Sequence, residues 1–450
     1  MEKFLFSKVE TWIVLLLAIL AVVCSILFAA LALDKAREKH RTGALGTAAL
    51  TIAEMPQTLL DWTKQKDARL AGRTQEFEGK AGWWLSPALQ TAPIDGYLLL
   101  SRAKIEADQN VVELLDLSDF TVKHTWLPNA DEFFEGVRRD FQITKMDRWN
   151  RELFEPVHPL MFENGDLIVK DHQSPMARID ACGRTLWVNS DRNYHHSLEL
   201  ALDGTMWVPS VIDPPNEEYG PKFFEDGLVN ITVDGKVLSE VSLARVLEKN
   251  GMMAMAFTSG SYVSDAIHLN DIQPVPGDGP YWKAGDVFLS ARHLSMVMLY
   301  RPSTQKIVWW KIGPWLAQHD VNILDDHRIA IFDNNAYDRG KGWYIDGVNE
   351  VMVYDFATDT ITTPYHETMK AENVLSVTEG LVDFTDNGHV IVEEENRGRI
   401  LILDPQGQKV AEFVNRGPDG QVYGMSWSRW IPRALGDAGL KSIQAAACPS

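Results

Sequence analysis

Residues 164–189 read NGDLIVKDHQSPMARIDACGRTLWVN: an Asn-Gly turn, an apolar run, a polar bend, a second run, a Cys-Gly turn and a third run. Short runs rich in Val, Ile and Leu between such turns mark antiparallel strands joined as hairpins. The same grammar recurs along the chain. DGTMWVPS starts at Asp203 and continues to GLVNITVDGKVLSEVSL, and GDVFLSARHLSMVMLYRPSTQKIVWWKI starts at Gly285. HRIAIFDNN starts at His327 and continues to NEVMVYDFATDTITTPYH, and NGHVIVEEENRGRILILDPQGQKVAEFV starts at Asn387. A weaker copy, GYLLLSRAK to NVVELLDLSDFTVKHTWL, occupies residues 96–127. Repeats of about 50 residues, each a few short strands, cannot bury their faces singly and close radially. The expectation is an all-β, six-bladed β-propeller, with residues 423–432 (YGMSWSRWIP) covering or completing the last blade. A large β-sandwich is the rival, but its strands would not recur in one fixed order.

Outward from the repeats, residues 12–33 (WIVLLLAILAVVCSILFAALAL) carry no charge. That is long enough to span a bilayer and longer than the apolar core of a cleavable signal peptide. Residues 34–80 read as helical around a break at Pro56. The expected organisation is an N-terminal transmembrane helix (residues 1–33), a helical stalk or linker (34–90), the propeller (91–435) and a C-terminal tail (436–450). Lys3 and Lys8 precede the span, whereas Lys35, Arg37, Lys39 and Arg41 follow it. The following charges alone would keep the C-terminal side in the cytoplasm, but long domains translocate despite such flanks.

The 450 residues include 43 Lys+Arg and 62 Asp+Glu, a net charge of −19 at pH 7. Nucleic-acid binders normally present a basic face, so that partner is excluded. Three cysteines support neither a disulfide framework nor a Cys-based zinc site. Cys182 and Cys448 could pair in an oxidising compartment; two lone thiols is the expectation.

Aligned on their turns, the copies share a histidine. His158 and His319 stand seven residues before Gly165 and Asp326, and His196, next to His195, stands eight before Gly204. His268 opens a fourth copy ahead of an inserted loop, while the copy ending at Gly388 has Glu379-Gly380-Leu381 instead. Equivalent positions in successive blades surround one axis, so these imidazoles should converge at the channel mouth. Such a ring can peg strands together, bind a metal, or stabilise and transfer an anionic group. No carboxylate ligand set repeats beside the histidines, so no metal and no cofactor is expected.

The stretch from His268 to Arg339 resembles the bacterial arylsulfate sulfotransferases, which need no nucleotide sulfate donor. The resemblance rests on His268-Leu269-Asn270, Ser290-Ala291-Arg292-His293, Gln318-His319-Asp320, Phe332-Asp333-Asn334 and Asp338-Arg339-Gly340. It implies a six-bladed periplasmic propeller that passes a sulfuryl group from an aryl sulfate to a histidine and then to a phenol. His268 and His319 would contact the sulfuryl or phenolic oxygens, and Arg339 would hold the anion. His195, His158, Asn270, Arg292 and Asn334 would bind substrate. The sequence departs from the family at the sulfuryl-carrying histidine, which lies well downstream of the QHD motif. No histidine occurs between Glu367 and Gly388, and His196 is the expected substitute.

The resemblance thus implies a protein of the bacterial inner membrane, single-pass through residues 12–33, its C-terminal domain in the periplasm and its substrate small and anionic or aromatic. The alternative is a non-catalytic propeller binding an anionic ligand or a protein partner in a membrane-associated assembly. Ser197 as a hydrolase nucleophile lacks a GxSxG elbow. Glu393-Glu394-Glu395 reads as a solvated strand end. Trp282, Trp309 and Trp310 read as core more readily than as an acceptor pocket.

Overall fold

The computed structural model describes residues 10–36, 41–65, 69–71, 74–220, 222–258, 260–446 and 448. Lys3, Lys8, Arg37 and Lys39 lie outside them. The chain forms two compact units, residues 1–68 and 69–450.

In the first unit, helix α1 (Thr11–Ala36) has mean hydropathy 3.2 over its most apolar window and buries none of that window. By length and composition it can cross a membrane; a signal sequence meets the same test. Asp34 ends the apolar run and accepts hydrogen bonds from Thr42 N (3.0 Å) and Oγ1 (2.8 Å). Helix α2 (Gly43–Gln65) runs through Pro56, so the expected break there does not occur. Proline removes one ladder bond and crowds the preceding turn, and the helix continues past it.

The second unit is all-β. Four of its sheets have the form of single antiparallel blades. The first orders Arg429–Ile431, Tyr97–Lys104, Gln109–Asp116 and Thr121–Trp126. Another orders Leu269–Pro274, Val287–Ala291, Met296–Arg301 and Lys306–Ile312. The next orders Val321–Ile323, Arg328–Asp333, Glu350–Asp355 and Thr360–Thr362, with a small hairpin of Ala336–Asp338 and Trp343–Ile345 beside it. The last orders Leu381–Phe384, Val390–Glu394, Arg399–Leu403, Lys409–Val414 and, outermost, Gly82–Leu85.

Residues 160–242 instead form one continuous eight-stranded sheet. Strand pairing therefore gives four single blades, not the six expected. The cause is the ten-residue strand Thr185–Tyr194. Its end pairs both ways, Tyr194 with Ser174 on one side and with Ser210 on the other.

The sheets close into a ring through their innermost strands. His158 N donates to Ser426 O (3.3 Å) and Ser197 N to Asn270 O (3.3 Å). Val321 N donates to Asp271 (3.1 Å), Val382 N to Asp320 (3.0 Å) and Trp430 N to Asp383 (2.8 Å). Residues 423–432 do not complete the last blade; Arg429–Ile431 completes the first, pairing Tyr97 with Ile431.

Two stretches expected to be peripheral belong to this unit. Gly82–Leu85, placed in the stalk by sequence, pairs with Lys409–Val414. The C-terminal helix Arg433–Ala445 buries Ile443 among Met161, Leu167 and Ile179. Beyond it Cys448 is disulfide-bonded to Cys182, against the lone thiols expected. Their sequence separation of 266 hid a proximity that only docking of the C-terminal helix creates.

Candidate active site at the channel mouth

Six residues just ahead of innermost strands hold left-handed backbone: His158 (φ 51°), His196 (51°), His268 (57°), His319 (52°), Glu379 (52°) and Trp427 (50°). The conformation costs a residue with a Cβ about 1 kcal/mol or more, and here it is repeated. It turns the chain into the inner strand and leaves the side chain near the axis. Lys170, fully buried, ties two such turns together by donating to Val157 O (3.4 Å) and to His196 O. Burial brings its ammonium down to about 7.

The expected convergence is present. The His196 ring centroid lies 5.2 Å from that of His268, 6.1 Å from His319 and 5.8 Å from Trp427. His172, which the repeat alignment passed over, lies 5.0 Å from His196. His293 lies 4.6 Å from His268.

Hydrogen bonding fixes which nitrogens carry protons. His268 Nδ1 lies 2.7 Å from Asp265 Oδ2, so Nδ1 is the donor and the Nε2 lone pair is left available. His195 Nε2 faces the carbonyl of Ser210 at 3.2 Å and must donate. Its Nδ1 therefore accepts from His196 Nδ1 (2.7 Å), which frees His196 Nε2. His319 differs. Its Nδ1 donates to Asn334 Oδ1 (2.6 Å) and its Nε2 accepts from Glu379 N (3.0 Å), so no lone pair remains. His293 is also committed: Nδ1 donates to Asp265 O (2.7 Å), and Nε2 accepts from Arg292 Nη1 (2.6 Å).

Burial depresses the basicity of these rings. His196 and His319 are held well below the ordinary histidine value, first by burial and then by neighbouring histidines and, for His319, Arg292. His195 falls to about 3, chiefly through burial. His268 is lowered less, because Asp265 opposes the burial effect. Burial raises the Asp265 carboxyl, but hydrogen bonds from His268 and His293 outweigh it and hold it ionised. His196 and His268 are thus neutral at pH 7, with Nε2 available as nucleophile or base.

The cation at this site is Arg292. It is 5% exposed, bonds His293 through Nη1, and leaves Nε and Nη2 buried without partners. A buried guanidinium with open donors is a receptor for a tetrahedral anion. It lies over the Trp343 ring at 4.4 Å. Beside it a cleft of about 950 Å³ is lined by Met255, Asp265, Arg292, His293, Tyr337 and Trp343, among others.

Arg339 is not at the cluster. It is exposed on the Ala336–Ile345 hairpin, donates to Tyr337 Oη (2.8 Å) and stacks on the same ring. The resemblance implied Arg339 as the anion holder and Arg292 as a substrate-binding residue; the hairpin carries Arg339 outward. His158 is brought only partly in. Its ring lies 5.6 Å from Trp427, but it borders a separate 110 Å³ cavity with Glu199, Asp320, Asp383 and Arg429. His195 stands behind His196, and Asn270 Nδ2 donates to Gln318 O (2.9 Å) with Oδ1 unpartnered. Asn334 orients His319 and donates to Ser376 O (2.9 Å) and Glu379 O (2.7 Å). Ser197 Oγ accepts from Ile272 N (3.0 Å) and is fully buried, which removes it as a nucleophile.

Trp282 is buried and Trp309 half-buried in one hydrophobic cluster, and Trp310 is exposed. The aromatic walls of the cleft are Trp343 and Tyr337. Sequence reasoning also missed Asp265, three residues before His268, and Trp427, which precedes its inner strand as the histidines precede theirs.

The sequence profile described as Arylsulfotransferase (ASST) matches residues 158–416. No curated protein matches the chain. Among solved structures, a protein of unknown function from Bacteroides caccae is 12% identical, with 76% of this chain and 99% of that one covered and a TM-score of 0.44. Hydrazine synthase of Kuenenia stuttgartiensis is 10% identical, with 65% and 70% covered and a TM-score of 0.37. Virginiamycin B lyase of Staphylococcus aureus is 13% identical, with 58% and 70% covered and a TM-score of 0.34.

Proposed function

The chain belongs to the arylsulfotransferase family, and from that premise we propose that it moves a sulfuryl group from an aryl sulfate to a phenolic acceptor at the channel mouth. One observation carries the proposal. Two imidazoles with free Nε2 lone pairs, His196 and His268, stand 5.2 Å apart beside Arg292, which has two unpartnered donor nitrogens.

In this scheme His268 is the nucleophile and Asp265 its positioning residue. Nε2 forms a bond to sulfur as the sulfur–oxygen bond to the aryl group breaks, and the phenolate leaves. Arg292 binds the non-bridging oxygens, where neutralisation is worth most in a buried site. His196 Nε2 accepts the proton of the incoming phenol, whose oxygen bonds to sulfur as the N–S bond breaks. The roles expected for His196 as nucleophile and Arg339 as anion holder thus pass to His268 and Arg292. His319, with both nitrogens committed, orients the Glu379 turn.

We further propose that the eight-stranded sheet acts as two blades, giving six around the axis; the six left-handed residues before inner strands support this. An experimental density map resolving a different number of radial sheets would overturn it. Helix α1 is read as a single-pass inner-membrane anchor followed by a stalk, with the propeller in the periplasm. The Cys182–Cys448 bond supports an oxidising compartment.

The test is full-length protein incubated with 4-nitrophenyl sulfate and phenol. Phenol-dependent nitrophenol release that vanishes in His268→Ala and Arg292→Ala supports the transfer. No release from folded protein between pH 5 and 9 favours the non-catalytic anion-binding module. That second reading has one observation behind it: Glu379 occupies the ring position toward which the family's sulfuryl-carrying histidine lies.

A further inference from the structure

Next to His196, whose ring lies 5.0 Å from that of His172, three side chains from distant parts of the chain meet. Glu155 precedes the strand Leu160–Met161, His172 lies in the turn between Leu167–Lys170 and Ser174–Ile179, and Glu395 opens the turn after Val390–Glu394. One donor atom from each lies within 4.8 Å of the other two. The run Glu393-Glu394-Glu395, expected to be a solvated strand end, is buried throughout, at 0%, 0% and 6% exposure. Glu393 accepts from Trp427 N (2.8 Å) and Ser428 N (2.9 Å). Glu394 pairs with Arg397 and Arg399. Glu395 is met only in part: its Oε2 is buried and unpartnered. Among the described residues, no hydrogen bond is made by the His172 ring.

A carboxylate oxygen buried without a donor is costly, and a native structure retains it for a reason. Arg148 bonds Glu155 and lies 3.5 Å from Asp171, so one guanidinium is shared by two carboxylates while Glu395 Oε2 stays unpartnered.

We propose that Glu155, His172 and Glu395 form a binding site for one divalent first-row cation, Mn²⁺ or Zn²⁺ by the hardness of the set. One imidazole and two carboxylates suit these ions and not copper(I), which prefers thiolates and thioethers. Donors about 2.0–2.2 Å from one ion sit roughly 3 Å apart, and side-chain rotation closes the remaining distance. The site joins the eight-stranded sheet to the last sheet, on either side of the first. It is separate from the trio Asp265, His268 and His293, where the nitrogens facing Asp265 are committed and Arg292 occupies His293.

Full-length protein in detergent is stripped with EDTA, desalted and titrated with MnCl₂, free Mn²⁺ being read by its hyperfine resonance and Zn²⁺ added as competitor. Wild type is expected to bind one equivalent saturably. His172→Ala and Glu395→Gln should each weaken binding by about tenfold or more, with the circular dichroism spectrum retained. Asp265→Asn, and Asp326→Asn in the exposed trio Asp325, Asp326 and His327, should leave it intact. Absence of saturable binding by wild type overturns the site whatever the variants do. Retention of binding in both His172→Ala and Glu395→Gln, or its loss only in Asp265→Asn, overturns it equally.

Discussion

The two halves of the channel are built from the same inner strands and differ in how their polar groups are satisfied. In the inner-strand half, carboxylates staple one sheet to the next: Asp271 to Val321 N, Asp320 to Val382 N and Asp383 to Trp430 N. Each carboxyl group is committed to a backbone donor. At the mouth, the left-handed turns gather imidazoles and a guanidinium that retain free lone pairs and open donors. Side chains at recurring positions serve architecture in one place and ligands in the other. The difference lies in residue type and, equally, in which groups are left unbonded.

The largest expected effect tests the mouth. His268→Ala should lower turnover of 4-nitrophenyl sulfate by on the order of 10⁴-fold or more, and Arg292→Ala by on the order of 10²–10³-fold. Thermal melts should barely change. Arg339→Ala, on the exposed hairpin, should stay within about twofold in the same assay. A larger loss for Arg339 than for Arg292 would reverse the assignment of the anion site.

The staples should respond in the opposite way. Asp383→Ala strands the amides of Phe384 and Trp430 that its oxygens accept from, both at 2.8 Å. It should cost about 1–3 kcal/mol in denaturant unfolding, with kcat per folded molecule retained. Loss of turnover without loss of stability would dissolve the contrast between the two halves.

Acidity sharpens it further. The mouth histidines have depressed folded values, so their stability contribution is full above pH 6.5 and is lost as pH falls below it. Asp383 is raised by burial to about 6, and Asp271 and Glu393 likewise to about 7. Their contribution is full below about pH 4 and is lost as pH rises through those values. Asp383→Asn should flatten the decline on the alkaline side, and His196→Ala the decline on the acid side, both read from unfolding midpoints. Turnover should keep its acid limb below pH 6.5, because His268 is lowered.

The strand grammar of residues 164–189 and its copies was legible because turns and apolar runs are local. So was the convergence of His196, His268 and His319, since repeats place equivalent residues around one axis. The merging of two copies into one sheet was not, because it depends on how far the strand Thr185–Tyr194 continues. Motif order put Arg339 ahead of Arg292 as the anion holder, because it does not show that a short hairpin turns Arg339 outward. Burial of Glu393, Glu394 and Glu395 was missed for a related reason. A charged run looks solvated until the amides and arginines that meet it, at Trp427, Ser428, Arg397 and Arg399, are known to be neighbours.

The strand Arg429–Ile431, seated beside Tyr97–Lys104, has a consequence for biogenesis. A nascent chain emerging amino end first makes the first three strands of that sheet long before their inner partner exists. Vectorial synthesis therefore leaves an open arc of sheets, and the toroid snaps shut only once residue 431 has been delivered. Any chaperone guarding this chain must shield that waiting edge through most of translation.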